Sequence, residues 1–176
     1  MKAAGLERVH MLQGVPTFGG INDSVLSFLL RESRTINLSA GTLIFAEGEY
    51  TASMFIVEDG EVAIYKHKDG RDCIMAILGE GECLGEMALF DYMPRSASAV
   101  AKTDCRLIEI TSQNLYGVYQ MDMEQFALIQ MNLGREIARR LRKADDLCMK
   151  CPLRADTEVK TFRPVSAGKQ EKSGTH

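Results

Sequence analysis

Between Thr35 and Ile110 the apolar residues come in short runs that polar turns interrupt at close spacing. The runs are Leu43-Ile44-Phe45, Met54-Phe55-Ile56-Val57, Val62-Ala63-Ile64-Tyr65, Ile74-Met75-Ala76-Ile77-Leu78, Ala97-Ser98-Ala99-Val100-Ala101 and Cys105-Arg106-Leu107-Ile108-Glu109-Ile110. Short runs bounded by glycine-containing turns predict β-strands. The turns are Ala40-Gly41, Glu47-Gly48-Glu49, Glu58-Asp59-Gly60-Glu61, Lys68-Asp69-Gly70-Arg71 and Gly79-Glu80-Gly81. Many short strands with no long helix between them point to a sandwich or a jelly roll.

The period changes on either side of this region. From about Leu6 to Glu32 the pattern is mostly helical, with Asn22-Asp23-Ser24 as an N-cap before Leu26, Phe28, Leu29 and Leu30. After the capping pair Thr111-Ser112, a long amphipathic helix is predicted from about Asp122 to Cys148. Its apolar stripe is Phe126, Ile129, Leu133, Ile137, Leu141, Ala144 and Cys148. That stripe must be covered by the strands, by a second copy of the chain, or by each at different points. The implied organisation is a helical segment 1–34, a β core 35–110, C-terminal helices 111–150, and a polar tail 151–176 with too few apolar residues to order itself.

Composition narrows the function classes. A chain of 176 residues that is 45% hydrophobic suits one domain with a packed core. A net charge of -3 implies no bulk attraction to nucleic acid or anionic membrane. No apolar run is long enough to span a bilayer and no basic-then-apolar leader opens the chain, so a cytoplasmic location is expected. Cys73, Cys83 and Cys105 sit in or beside apolar runs and read as reduced core thiols. Cys148 and Cys151 form a lone CxxC without two further ligands nearby, and His10, His67 and His176 are scattered, so no metal centre or cofactor is expected. No nucleophile with an adjacent base is readable, and a metal-dependent enzyme on a similar barrel would need clustered histidines. The chain is therefore not expected to be an enzyme.

One stretch, LGEMALFDYMPRSASA from Leu84 to Ala99, does not read as another strand. A glycine opens a short apolar helix, and Arg95 follows the Pro94 corner. Glu86 and Arg95 are either a structural ion pair or two halves of one ligand site. Backbone N–H groups at a glycine-led helix start attract an anion, and a guanidinium fork suits phosphate oxygens.

Gly85-Glu86-Met87-Ala88-Leu89 followed by Pro94-Arg95-Ser96-Ala97 resembles the phosphate-binding cassette of cyclic nucleotide-binding domains. The likeness extends from roughly Leu26 to Leu147 and includes Gly41, Gly48 and Gly60 between strands. It implies a mainly β fold with flanking helices: an eight-stranded antiparallel jelly-roll barrel, an N-terminal helical segment and a long C-terminal helix. It further implies that Arg95 pairs with a cyclic phosphate, helped by backbone N–H groups of Ala88 and Ser96, and that Glu86 accepts from the ribose 2'-hydroxyl. Gly85, Met87 and Ala97 complete the ligand-binding set. For the base, the resemblance places Ile64 and Met75 as walls and Ala144 and Asp145 on the C-terminal helix as a lid. Asp145 departs from the family's hydroxyl side chains, which keeps cGMP open beside the favoured cAMP.

The expected function is that of a cyclic nucleotide sensor that moves its C-terminal helix and so a surface seen by a protein partner. The alternative is a ligand-free or cyclic-dinucleotide-responsive interaction module. A homodimer through the long helix is expected. Direct DNA binding is not, because residues 149–176 lack the length and hydrophobic pattern of a winged helix-turn-helix. The basic residues Arg135, Arg139, Arg140, Arg142 and Lys143 read as a solvated helix face.

Overall fold

The computed structural model describes residues 2–68 and 70–150. Eight strands form two four-stranded sheets. One has the order β1 (Arg34–Leu38), β8 (Cys105–Thr111), β3 (Ser53–Asp59), β6 (Cys83–Leu84). The other has the order β2 (Leu43–Phe45), β7 (Ser98–Ala101), β4 (Val62–Lys68), β5 (Arg71–Leu78). All pairings are antiparallel, as a jelly roll requires. Ahead of them lie α1 (Lys2–Gly14), one 3-10 turn (Pro16–Phe18) and α2 (Asp23–Glu32). The short α3 (Glu86–Asp91) interrupts the strand series, and α4 (Ser112–Met121) and α5 (Met123–Lys150) follow it.

The unbroken apolar run of β3 has a structural reason. Phe55 and Val57 point into the roll with Leu84, Ala99 and Leu107, whereas Met54 and Ile56 point outward onto the helices with Leu26, Leu29 and Leu133. β8 divides its side chains the same way, Leu107 inward and Ile108 and Ile110 toward the helices. A strand buried on both faces loses the polar alternation of a half-exposed one. The first sheet is thus the middle layer between the roll interior and a helical layer.

The helices carry the predicted caps. The Asn22 side chain accepts from Val25 N at 2.9 Å. Thr111 and Asn114 close a reciprocal capping box at the start of α4. Helix α1 is tied to the middle sheet by Glu58, which is 9% exposed and accepts from Arg8 at 2.6 Å and Arg106 at 2.9 Å. Gly60 is required where it sits: at φ +91° a Cβ would lie 2.3 Å from the Asp104 carbonyl oxygen.

Helix α5 behaves differently along its length. Ile129 and Leu133 are fully packed, and Phe126 rests against the same core. Buried Asn132 donates to the carbonyls of Thr17 at 3.3 Å and Gly19 at 2.9 Å, anchoring this half to the 3-10 turn. Further on, Leu141 is 62% exposed and Ala144 is exposed. Within the single chain the apolar stripe is therefore covered by the helical layer in the first half of α5 and exposed from Leu141 to Ala144. The side chain of Cys148, the whole of Cys151 and the tail 151–176 lie outside the described residues.

Candidate functional site

Chain geometry brings the two halves of LGEMALFDYMPRSASA together around one cavity. Gly85 takes the left-handed conformation (φ 76°) and caps α3, so Glu86, Met87 and Ala88 turn immediately after β6. The return segment is held by its backbone: Arg95 N donates to Glu49 O at 2.9 Å and Gly48 N donates to Arg95 O at 2.9 Å. Between them lies a cavity of about 180 Å³. Every residue expected in the cassette lines it, namely Gly85, Glu86, Met87, Ala88, Arg95, Ser96 and Ala97, and Ile64 joins them from β4.

Arg95 is 4% exposed, yet none of the ion pairs among the described residues includes it. Its Nη1 donates to the Gly85 carbonyl at 2.7 Å and its Nη2 to Ser53 Oγ at 3.2 Å, while Nε is buried without an acceptor. The guanidinium lies over the Phe45 ring, 4.1 Å from its centroid. Burial pulls its pKa below the usual arginine value, against the opposing pull of Glu49, Glu86 and Glu109. A buried cation with an idle donor is costly unless an anion completes it.

Glu86 is 3% exposed and does not pair with Arg95. Its Oε1 accepts from Arg140 Nη1 on α5 at 2.8 Å. Arg140 also donates to the Cys83 carbonyl at 2.6 Å and to Glu136 one turn earlier at 3.2 Å. Burial pushes the Glu86 carboxyl above its usual range, with Arg140 pulling the other way. Burial also weakens the charged form of Arg140, but Glu86 and its other acceptors outweigh that and hold its pKa up. Buried Cys83 beside them is pushed to about 11, first by desolvation and then by Glu86, which leaves it a protonated, unreactive thiol. The ion-pair alternative between Glu86 and Arg95 is thereby answered: the acid faces α5 and the arginine faces a carbonyl.

The base-pocket expectations fare unevenly. Ile64 lines the cavity, but Met75 does not and is 64% exposed. β5 is exposed at every residue from Arg71 to Ile77, so neither of its faces is covered there, and the β4–β5 ladder shifts register at this point, with Ile64 opposite Ala76 and Tyr65 opposite Ile74. Ala144 and Asp145 are exposed and lie outside the cavity lining, about one turn beyond Arg140 on α5. Sequence reasoning missed Arg140, Phe45 and Ser53. The one available signal for Arg140 was its i,i+4 spacing from Glu136 inside the basic run. Among the described residues no group of three or more His, Cys, Asp or Glu is placed to hold a metal, and no helix is long and apolar enough to cross a membrane.

A β-roll whose interrupting helix and following arginine enclose a small cavity beneath a long C-terminal helix defines a class of ligand-binding module. The chain belongs to the cyclic nucleotide-binding domain family, whose model matches residues 35–122, half of its length. It is 33% identical to the cyclic AMP receptor protein of Thermus thermophilus over 135 residues, covering 76% of this chain and 61% of the relative. It is 30% identical over 130 residues to a CRP-like cAMP-activated global transcriptional regulator of Mycobacterium tuberculosis, covering 73% and 56%. The fold is also that of a cyclic nucleotide-binding domain from Methylobacillus flagellatus, with a TM-score of 0.73 at 21% identity over 84% of this chain and 83% of that one. The chain thus spans about three fifths of the length of the curated relatives it matches.

Proposed function

We propose that this chain is a cyclic nucleotide sensor that binds cAMP in the α3 cavity and reports occupancy through α5. The observation that carries the reading is Arg95: a buried guanidinium with an idle Nε, beside a helix start, lining a small cavity. A cyclic phosphate brings one negative charge and acceptor oxygens, which supply what Arg95 lacks. Glu86 accepts from the ribose 2'-hydroxyl while keeping its bond to Arg140, since a carboxylate has lone pairs for both. Because α3 holds Glu86 and α5 holds Arg140, a ligand that draws on Glu86 biases the position of α5. Ile64 is the base wall in contact with the cavity, and Ala144 and Asp145 on α5 become lid residues if that helix closes further.

Calorimetry with cAMP, cGMP, a cyclic dinucleotide and 2'-deoxy-cAMP tests these roles separately. The expected order is cAMP tightest, with 2'-deoxy-cAMP weaker by about tenfold for a lost charge-assisted hydrogen bond. Equal affinity of the deoxy analogue removes Glu86 from ribose recognition. The competing reading, a module that has lost its ligand, draws on Glu86 and Arg95 both having internal partners, Arg140 and Gly85 O. Amide spectra of residues 85–99 that stay unchanged at saturating nucleotide favour it.

One exposed face of α5 supports a homodimer. Ala127, Met131, Gly134, Ala138 and Leu141 form its exposed or half-exposed stripe at alternating spacings of four and three, the heptad rhythm of a paired helix. A Cβ at Gly134 would meet nothing, so a partner helix has room to approach closely. Light scattering is expected to give twice the chain mass, and Leu141→Glu to shift it toward the monomer. A monomeric mass across a concentration series removes the dimer.

A further inference from the structure

We propose that the hollow enclosed by α3, α4 and the start of α5 is a docking groove for a positively charged amphipathic helix of a protein partner. Its floor is apolar, built from Leu89, Leu115 and Phe126, and its walls are the exposed rings of Tyr92, Tyr116 and Tyr119. The rings are ordered against one another: Tyr116 stacks on Tyr119 at 5.9 Å, and Tyr119 meets Phe126 edge-on at 5.5 Å. A second hollow, with Tyr50 and Met93, adjoins it and shares Tyr92. Tyr92 is 71% exposed and is the one non-glycine residue at positive φ among the described residues, fixed at the end of α3 with its ring between the two hollows. Exposed Met121 and Met123 mark the corner where α4 meets α5. Tyrosines and flexible methionines on one surface are the composition of a protein-binding face.

Charge selects the occupant. Every residue of both hollows comes from three stretches, 35–65, 72–94 and 107–134, that contain no lysine or arginine at all. The same stretches place the exposed acids Glu49, Asp91 and Glu124, with half-buried Asp122, on these elements. On α2, which packs against α4, the exposed cation Arg31 lies over the Phe28 ring and pairs with Glu32. An acidic apolar groove repels nucleic acid and anionic lipid and attracts lysine- or arginine-flanked apolar anchors. Its walls are helices, whose ridges accept another helix with anchors at i, i+3, i+4 and i+7. The docking site itself stands apart from the nucleotide reading and rests on it only for control by ligand: Ala88 on α3 borders both the nucleotide cavity and the second hollow.

The test uses a synthetic Leu/Lys amphipathic helix about five turns long and its Leu/Glu counterpart, titrated into the full chain carrying methyl-labelled methionine. The Lys peptide is expected to bind saturably and shift the methyl signals of Met93, Met121 and Met123, and the Glu peptide to leave them in place. Tyr92→Ser with Tyr119→Ser is expected to weaken the Lys peptide at least tenfold. Glu124→Lys, an exposed change that leaves the apolar floor intact, is expected to weaken it several-fold. Equal binding of both peptides, shifts confined to other surfaces, or unchanged affinity in both variants overturns the proposal, as does self-association that the tyrosine changes abolish. If the Lys peptide binds and cAMP leaves its affinity unchanged, the groove stands and its control by nucleotide falls. If cAMP binds and the Lys peptide does not, the groove falls and the nucleotide reading stands.

Discussion

Arg95→Met is expected to weaken cAMP binding at least about tenfold while leaving the ligand-free chain as stable as before, or up to about 1 kcal/mol more stable. The two effects have one cause. Arg95 is 4% exposed, with an idle Nε and no carboxylate in hydrogen-bond contact among the described residues, so in the empty protein its desolvated charge is offset only by the Gly85 carbonyl, Ser53 Oγ, the Phe45 ring and more distant carboxylates. Methionine keeps much of the apolar stem and its contact with Phe45 and removes the charge. Bound phosphate reverses the balance, because charge-assisted hydrogen bonds contribute about 1.5 to 3 kcal/mol each. A structural arginine behaves in the opposite way, losing stability on replacement and leaving affinity untouched. Thermal unfolding and nucleotide titration of the same variant separate the two.

Arg140→Ala is expected to destabilise the protein by about 2 kcal/mol near neutral pH, and increasingly so as pH rises. Removing one partner of a fully buried pair costs about 3 to 5 kcal/mol, reduced here because the Arg140 side chain is 34% exposed. The pH dependence follows from Glu86, whose carboxyl is already raised above its ordinary value of 4.5 by burial, with Arg140 restraining the rise. A carboxyl raised in the folded state binds protons that the unfolded chain has released. Its contribution to stability is therefore full below 4.5 and is lost as pH climbs through the raised value. Without Arg140 that value moves further up, and the loss continues over a wider span. Melting curves of Arg140→Ala between about pH 5 and 8 should fall more steeply than those of the parent. Adding Glu86→Gln should flatten them. A parallel pair of pH profiles contradicts the coupling of α3 to α5 through this bond.

How much of this was legible in the sequence depends on distance along the chain. Six of the eight strands were readable because glycine turns such as Glu58-Asp59-Gly60-Glu61 punctuate their apolar runs, whereas β1 and the two-residue β6 carry no such run; the caps at Asn22 and Thr111 were readable because capping is a local interaction. The cassette was readable because Gly85 to Ala97 is contiguous and its residues surround one cavity. Arg140 was not, because it meets Glu86 across 54 residues and only the rotational phase of α5 decides which arginine of a basic run faces inward. Met75 illustrates a second limit. β5 is exposed on both faces from Arg71 to Ile77, so an apolar run that reads as a buried strand forms no wall of the cavity there. The covered stripe of α5 shows a third: periodicity reveals that a face is apolar but not how far the packing layer beneath it extends.

The central claim is that Glu86 and Arg95 divide one nucleotide between them, sugar to the acid and phosphate to the arginine. A calorimetric titration of cAMP into the parent chain, with Arg95→Met run beside it, tests this most directly. A saturable isotherm with one nucleotide per chain, lost or weakened at least about tenfold in the variant, is the predicted result. No saturable heat in the parent, or the same isotherm in both proteins, contradicts it.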